Sequence, residues 1–325
     1  MRDTFAPLLS ATYEDRFPPR YPVLASPKLD GIRVVVIDGV PMTRSMKKPV
    51  PSKVICGALT DLPWFDGEVI VGSEPVGTSV CANTQSGVMG ADTLTVNDEW
   101  VYYVFDLADP SQRTLPYQTR LEGLNKIVEA VTTKWPLLHG HIRVLPHTVI
   151  NNDKELWAYE AECVKQGYEG IMLRDPAGAY KWGRATAKSR ILTKIKRWED
   201  AEARIKEAYE EMHNENEAKI NPLGRVERSS HKDNKSGTGR VGGYICETYR
   251  RLDCDLFTLY PQPGVPVELV EFDLGAAANT TQEERAKLFS IIDKLPNKVV
   301  KFKYQPTAGA ERPRFPVSLI IREDE

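Results

Sequence analysis

The sequence predicts an α+β fold in two domains, the second a small β-barrel. Three observations carry this expectation. The chain has 325 residues, which at about 150 residues per domain suggests two cores. Short β-branched and aromatic runs closed by turn residues are mixed along it with a few amphipathic helices. Beyond Trp198, several short strands and one helix share about 125 residues, which suits a small barrel.

The elements follow in order. Residues 1–27 are rich in proline (Pro7, Pro18, Pro19, Pro22, Pro27) and read as extended surface chain leading into a strand. Residues 32–37 form a β-branched run closed by Asp38-Gly39, a hairpin dipeptide, with 42–45 as the return strand. Strands are expected at 64–71 and 100–107, the latter ended by Asp109-Pro110. A helix over 119–134 places Leu121, Leu124, Val128 and Val131 on one face. A second, over 152–165, has Asn152 as cap, Glu155 three residues on and Gly167 at its end. Residues 170–174 and 191–196 read as short strands. At 198–212 the Glu, Lys and Ala content favours helix, while the alternation of Ala201, Ala203 and Ile205 favours strand, and the pattern leaves both open. Residues 221–243, rich in Gly, Ser and Asn, read as a long loop with five basic residues against two acidic ones. Strands are expected at 244–249, 256–260 and 267–272. A helix over 281–295 opens with Thr281 and Glu284 in capping-box spacing. Strands at 298–304 and 315–321 close the chain.

Composition excludes several classes. The chain is 41% hydrophobic and 27% charged, which is globular rather than disordered. With 43 Lys and Arg against 45 Asp and Glu, the formal charge is −2. That excludes binding nucleic acid through bulk positive charge but leaves room for a locally basic face. No apolar run approaches the roughly 20 residues of a membrane span, and residues 1–10 do not form a secretory signal. Five scattered cysteines without a C-x-x-C pair argue against a disulfide scaffold or a four-cysteine zinc site. A soluble, cytoplasmic monomer is expected.

The sharpest chemical signal is Lys28-Leu29-Asp30-Gly31-Ile32-Arg33. Alone it could be a charged turn entering a strand. Five further segments follow it: Thr43-Arg44-Ser45, Phe65-Asp66-Gly67-Glu68, Tyr103-Val104-Phe105-Asp106, Glu169-Gly170-Ile171-Met172, and Lys194-Ile195-Lys196, with Tyr180-Lys181-Trp182-Gly183-Arg184 before the last. Singly, Glu68 and Glu169 read as turn or loop carboxylates, Phe105 as a core ring, and Arg33, Arg44 and Arg184 as surface charges. In this order, the set resembles the motifs of the covalent nucleotidyltransferases, and its shape is most similar to the small bacteriophage ATP-dependent DNA ligases.

The resemblance implies an adenylylation (nucleotidyltransferase) domain over residues 1–198, made of antiparallel sheets with flanking helices, and an OB-fold β-barrel over 199–325. It implies Lys28 as the nucleophile that takes AMP from ATP. Ser26, Pro27, Arg33, Arg44, Glu68, Phe105, Arg184, Lys194 and Lys196 would bind the nucleotide. Mg²⁺ or Mn²⁺ would be held by Glu68 and Glu169. An amine attacks only when deprotonated, and cationic neighbours such as Lys194 and Lys196, with a metal, would lower its pKa. Phosphoryl transfer then rests on in-line positioning and charge neutralisation. The chain departs from the family in having Ser26 and Pro27 where many ligases carry an acidic residue two positions before the lysine, which leaves base recognition to backbone near these two. At the C-terminus, Arg314 is the candidate for orienting pyrophosphate, with Arg312 as the fallback.

The implied substrate is nicked duplex DNA, sealed in repair, replication or recombination. In the loop at 221–243, Arg225, Arg228, Lys232 and Lys235 are the expected phosphate contacts. Other readings are an RNA ligase, an mRNA capping guanylyltransferase labelled by GTP, and a catalytically dead OB-fold module. An NAD-dependent ligase is disfavoured, because only 27 residues precede the motif and no cysteine-rich site follows.

Overall fold

The computed structural model describes residues 5–72, 75–76, 80–220, 226–228, 234–254, 256–276, 280–306 and 309–322. The chain divides into two compact units, Met1–Lys196 and Arg197–Glu325. In the first, strands β1 (Ala11–Thr12), β2 (Val23–Pro27), β3 (Ile32–Ile37), β4 (Val40–Thr43), β5 (Phe65–Val71), β6 (Trp100–Leu107), β7 (Ile142–Val144), β8 (Thr148–Ile150), β9 (Ile171–Arg174) and β10 (Leu192–Ile195) build two sheets. Among the described residues their orders are β1-β10-β9-β2-β8 and β4-β3-β5-β6-β7. Most pairings are antiparallel, with β1–β10 and β6–β7 parallel. Helices α1 (Lys53–Leu59), α2 (Val80–Met89), α3 (Tyr117–Lys134) and α4 (Asp153–Lys165) accompany them.

The turn at Asp38-Gly39 forms as expected, with φ of 48° and 75°, the left-handed pair that a two-residue hairpin needs. Helix α3 buries Leu124, Val128 and Val131 against Val104 and Leu107 of β6. Helix α4 is capped by the Asn152 side chain, which accepts from the Glu155 N–H at 3.0 Å.

Three expectations are corrected in this unit. Residues 1–27 are not a surface lead-in: Phe5, Leu8, Ala11, Val23 and Ala25 are buried, and β2 lies inside its sheet between β9 and β8. Proline is tolerated there because Pro22 precedes the strand and Pro27 ends it. The return strand of the first hairpin is Val40–Thr43 rather than 42–45, since the two-residue turn pairs Val40 directly with Ile37. Helices α1 and α2 were not foreseen. Their short sequences lack acidic residues in the first turn and basic residues in the last.

The second unit holds β11 (Glu199–Asn214), β12 (Ala218–Ile220), β13 (Val226–Arg228), β14 (Lys235–Arg251), β15 (Phe257–Thr258), β16 (Val267–Gly275), helix α5 (Gln282–Phe289), β17 (Val299–Gln305) and β18 (Arg314–Ile321). The open question at 198–212 resolves as strand. Ala201, Ala203 and Ile205 point into a core with Phe272, Val300 and Phe302, so period-two burial outweighs helix propensity. The expected loop at 221–243 is corrected. Residues from Lys235 onward belong to β14, which pairs with β11 as far as Asn214↔Lys235, and Val226–Arg228 pairs with Ala218–Ile220. Of the glycines that suggested a loop, Gly242 and Gly243 serve close packing instead. A Cβ at Gly243 would lie 2.3 Å from the Tyr209 hydroxyl. Helix α5 carries the Thr281–Glu284 capping box and stops at Phe289, earlier than expected, followed by a 3₁₀ turn, Ile292–Lys294. The sheet order is β15-β14-β11-β17-β18 with β16 also on β14, and among the described residues this ladder does not close into a barrel. The described residues include no helix long and apolar enough to cross a membrane, and the five cysteines are free thiols.

Candidate active site

Lys28 leaves the end of β2, where its N–H donates to the Gly170 carbonyl at 2.8 Å. That contact fixes it against the segment carrying Glu169. Gly170 has φ of 141°, and a Cβ there would lie 2.1 Å from the Ile195 carbonyl. Glycine is therefore required to bring the Glu169 turn against the end of β10. The Lys28 ammonium donates to Glu169 Oε2 and Lys196 donates to Glu169 Oε1. One buried carboxylate thus bridges two ammonium groups, each about a fifth exposed at 21% and 20%.

Glu68 stands in β5 opposite Arg33 of β3 on one side and Tyr103 of β6 on the other. Its Oε1 accepts from the Gly31 N–H at 2.9 Å. A Cβ at Gly31 would meet the Val69 carbonyl at 2.3 Å, so the Asp30-Gly31 step allows the motif lysine to pass close to β5. Burial raises the Glu68 pKa, against the pull of Lys28, the Gly31 amide and Arg33. Glu169 is held lower than usual: burial works against this, but Lys28 and Lys196 prevail.

The protein groups around Lys28 pull in opposite directions. Burial does favour its neutral amine, yet Glu169 and Glu68 outweigh burial and raise its pKa. Lys196 acts on Glu169 rather than against Lys28. The lysine whose pKa is lowered is Lys194, by burial and by the charges of Lys196, Lys28 and Arg184. Glu169 and Glu68 thus favour the ammonium form of Lys28, against burial.

Beside this centre lies a cluster in which motif residues meet partners the motifs did not announce, Arg120, Arg174, Tyr117 and His147. Asp66 takes Arg33 through Nε at 2.8 Å and Nη2 at 2.5 Å, and accepts from the Tyr180 hydroxyl at 2.7 Å. Its cross-strand neighbour Asp106 takes Arg120 at 2.8 and 3.1 Å and Arg174 at 2.7 Å. The Phe105 ring, half-buried, has the Arg33 guanidinium 5.5 Å and the Arg174 guanidinium 5.4 Å from its centroid. The Tyr117 hydroxyl donates to the Phe105 carbonyl at 2.8 Å and lies 2.8 Å from His147 Nε2. An acid set inside an apolar strand, Asp66 after Phe65 and Asp106 before Leu107, was the available signal, because a buried carboxylate needs partners.

The remaining expected residues are distributed as follows. Ser26 is buried in β2 and pairs with Met172, Pro27 pairs with Ile171, and Lys194 pairs with Met172 from the other side. These residues thus share one sheet with Lys28. Arg44 is exposed in the turn after β4. Arg184 is exposed and donates to the Ser10 carbonyl at 2.9 Å. Arg314 begins β18 in the second unit, its guanidinium 4.8 Å from the Phe315 ring centroid. Of the expected phosphate contacts, Arg225 and Lys232 lie outside the described residues, Arg228 is the last residue of β13, and Lys235 is half-buried opposite Asn214.

For a divalent cation the donor set is suitable. Glu68 and Glu169 are hard carboxylates grouped about Lys28, and Mg²⁺ is commonly held by one or two carboxylates with the rest from water and phosphate. Among the described residues there is no cluster of three or more metal-ligating side chains.

No curated protein matches the chain. Among solved structures, the chain is similar to Chlorella virus DNA ligase-adenylate, at 28% identity and a TM-score of 0.51 over 98% of this chain and 99% of that one. It shares its fold with a Lig E DNA ligase (21% identity, TM-score 0.65, 98% and 99% covered) and with the bacteriophage T7 ATP-dependent DNA ligase complexed with ATP (13%, 0.50, 97% and 98%). The family model of the ATP dependent DNA ligase domain matches residues 20–196, which take in every motif segment from Lys28 to Lys196, and the chain belongs to that family.

Proposed function

We propose that this enzyme seals 5′-phosphate/3′-hydroxyl nicks in duplex DNA with ATP, through an AMP carried on Lys28. The observation that carries the site assignment is the convergence of Lys28, Glu169 and Lys196 with Glu68 beside them. Lys28 Nζ attacks the α-phosphorus; an N–P bond forms, the P–O bond to pyrophosphate breaks, and one proton leaves the amine. AMP then passes to the 5′-phosphate of the nick. The 3′-hydroxyl attacks that phosphate and releases AMP.

Where Lys28 rests as an ammonium, a first requirement follows: a further proton must leave before attack, besides the one lost as the N–P bond forms. Glu169 Oε2 already accepts from it. If Lys196 turns from Glu169 to a nucleotide phosphate, Glu169 becomes the stronger base, and the proton can move along the existing contact. A Mg²⁺ or Mn²⁺ on Glu68 and Glu169 would supply charge neutralisation of the phosphates. Lys194 in β10 and Lys196, the residue after its end, serve as phosphate ligands. Phe105 offers a ring face to the base, with Ser26 and Pro27 at its recognition edge. Arg33, Arg44 and Arg184 bind the nucleotide or the nick phosphate, and Arg314 is proposed, on the resemblance alone, to act on pyrophosphate. Residues 1–198 are the adenylylation domain in this reading and 199–325 an OB-type domain, with the basic residues among 221–243 on DNA.

The test uses ATP labelled at the α-phosphate, Mg²⁺ and denaturing electrophoresis, followed by a chase with nicked duplex. The protein is expected to carry label and to lose it to DNA. Lys28→Arg should take no label, since a guanidinium stays protonated. Labelling by GTP alone, or an unimpaired Lys28→Arg, would overturn the assignment.

A further inference from the structure

Residues 181–196 carry six cations (Lys181, Arg184, Lys188, Arg190, Lys194 and Lys196) and no acid, in a chain of net charge −2. The nucleotide site accounts for Arg184, Lys194 and Lys196. The others lie beyond it, next to the turn at 14–20, where Arg16 and Arg20 stand with Glu14 and Asp15. Arg190 closes the 3₁₀ turn Ala187–Ser189 with φ of 60°, a left-handed conformation that costs energy for a residue with a β-carbon. That conformation aims its side chain back at the N-terminal segment, where Nε donates to the Pro18 carbonyl at 2.7 Å. The Arg190 guanidinium lies 5.7 Å from the Phe17 centroid, and that of Arg16 lies 4.9 Å from the same ring. Arg16 and Arg20 are exposed, as is Lys188. One surface ring therefore gathers two guanidinium groups, whose repulsion opposes the arrangement until an anion meets them. Glu14 takes Arg16 Nε at 2.6 Å, which orients that side chain and offsets part of its charge.

The two turns connect directly to the nucleotide sheet. Thr12 of β1 pairs with Lys194, the Tyr13 N–H donates to the Lys194 carbonyl at 3.0 Å, and Arg190 precedes β10 by two positions. Cations thus continue from the phosphate ligands of the nucleotide site onto the outer surface of the first unit.

We propose that Arg16, Lys188 and Arg190, on the turns gathered at Phe17, form a contact surface for the sugar–phosphate backbone of the duplex beside the nick. The inference rests on the DNA ligase reading and adds a binding surface outside its nucleotide motifs. A row of cations on two rigid turns, without base-reading side chains, suits sequence-independent phosphate contact.

The experiment measures binding of the full chain to fluorescent nicked duplex by anisotropy, over a series of salt concentrations. Lys188→Gln with Arg16→Gln leaves the Arg190–Pro18 bond intact and is the primary variant. It should lose about tenfold in affinity and reduce the log–log salt slope by about 0.9 per lost phosphate contact, about 1.8 in all. ATP labelling of Lys28 should not change. Arg190→Lys, which keeps the charge, should retain more binding than Arg190→Gln. Unchanged affinity and slope in the double variant, with the unmutated protein binding normally, would overturn this surface alone. Failure of the unmutated protein to bind nicked duplex would overturn the ligase reading itself.

Discussion

Two charged clusters stand side by side in the first unit, built from different cations. Around Glu169 the cations are lysines, Lys28 and Lys196, each about a fifth exposed. Around Asp66 and Asp106 they are arginines, and the Asp106 pair is sealed, with Arg120 1% and Arg174 6% exposed. The difference is chemical. An ammonium is a point charge that can change partners and give up a proton, whereas a guanidinium stays charged and holds a carboxylate at two points. Lysine stands where a bond must form and break. Arginine stands where two sheet strands and a ring must stay in place. Arg33 is the member with one foot in each region: it grips Asp66 bidentately and also lowers the Glu68 pKa.

The comparison is broken most severely at Arg120. Arg120→Met leaves Asp106 with Arg174 alone in a water-excluded site, and breaking such a pair costs about 3–5 kcal/mol. Chemical denaturation should show that loss. Arg120→Lys should recover only part of it, because one ammonium cannot reproduce bonds at 2.8 and 3.1 Å to both oxygens. Equal stability of the Lys variant and the unmutated protein would mean that charge, rather than the planar fork, is what the Asp106 site needs.

Glu169→Gln tests the lysine side. Loss of a well-placed charged group in such a site should lower the labelling rate about 10²–10³-fold. The residual activity should also change its pH dependence. Glu169 raises the Lys28 pKa, so without its charge the amine deprotonates more readily, and the alkaline rise of labelling moves to lower pH. A rise shifted to higher pH would show that Glu169 activates the amine in the free enzyme instead of restraining it.

The two clusters were unequally legible in the sequence. The lysine cluster belongs to short segments whose glycines and carboxylates recur in fixed order, so Lys28, Glu68, Glu169 and Lys196 could be named before any fold was seen. Asp66 and Asp106 lay within those segments, as did Arg33 and Tyr180, which hold Asp66, but the partners of Asp106 did not. Arg120 is on a helix and Arg174 on a strand 68 residues from Asp106, and nothing in local spacing links them. The sign of the Lys28 shift was also out of reach, because it depends on which carboxylate oxygen each lysine meets. Elsewhere, β-branched and aromatic runs closed by turn residues read β3 and β6, and period-two alternation read β17, to within a residue or two. It could not separate a glycine-rich loop from a glycine-rich strand at β14, where close packing against Tyr209 selects glycine. Proline density misled at the N-terminus, where sheet pairing of Val23–Pro27 rather than local stiffness decides burial.

The smallest expected effect lies at the edge of the arginine cluster. His147 packs beside Tyr117, whose ring has the Arg174 guanidinium 4.4 Å from its centroid. Burial and the charge of Arg174 push its pKa down to about 4, with Asp106 and a backbone bond at Leu145 acting weakly the other way. The folded protein therefore prefers His147 neutral, while the unfolded chain takes up the proton near the ordinary value of 6.5. Folding stability from this residue is complete above about pH 6.5 and is lost as the pH falls to about 4, below which both states are protonated. The full loss is about 3–4 kcal/mol. Carboxylates titrate in the lower part of the same window, so the informative quantity is the difference between the unmutated protein and His147→Gln. Stability measured at pH 7 and again at pH 5 should fall further in the unmutated protein than in the variant. Parallel losses would mean that neither burial nor Arg174 holds His147 neutral in the fold.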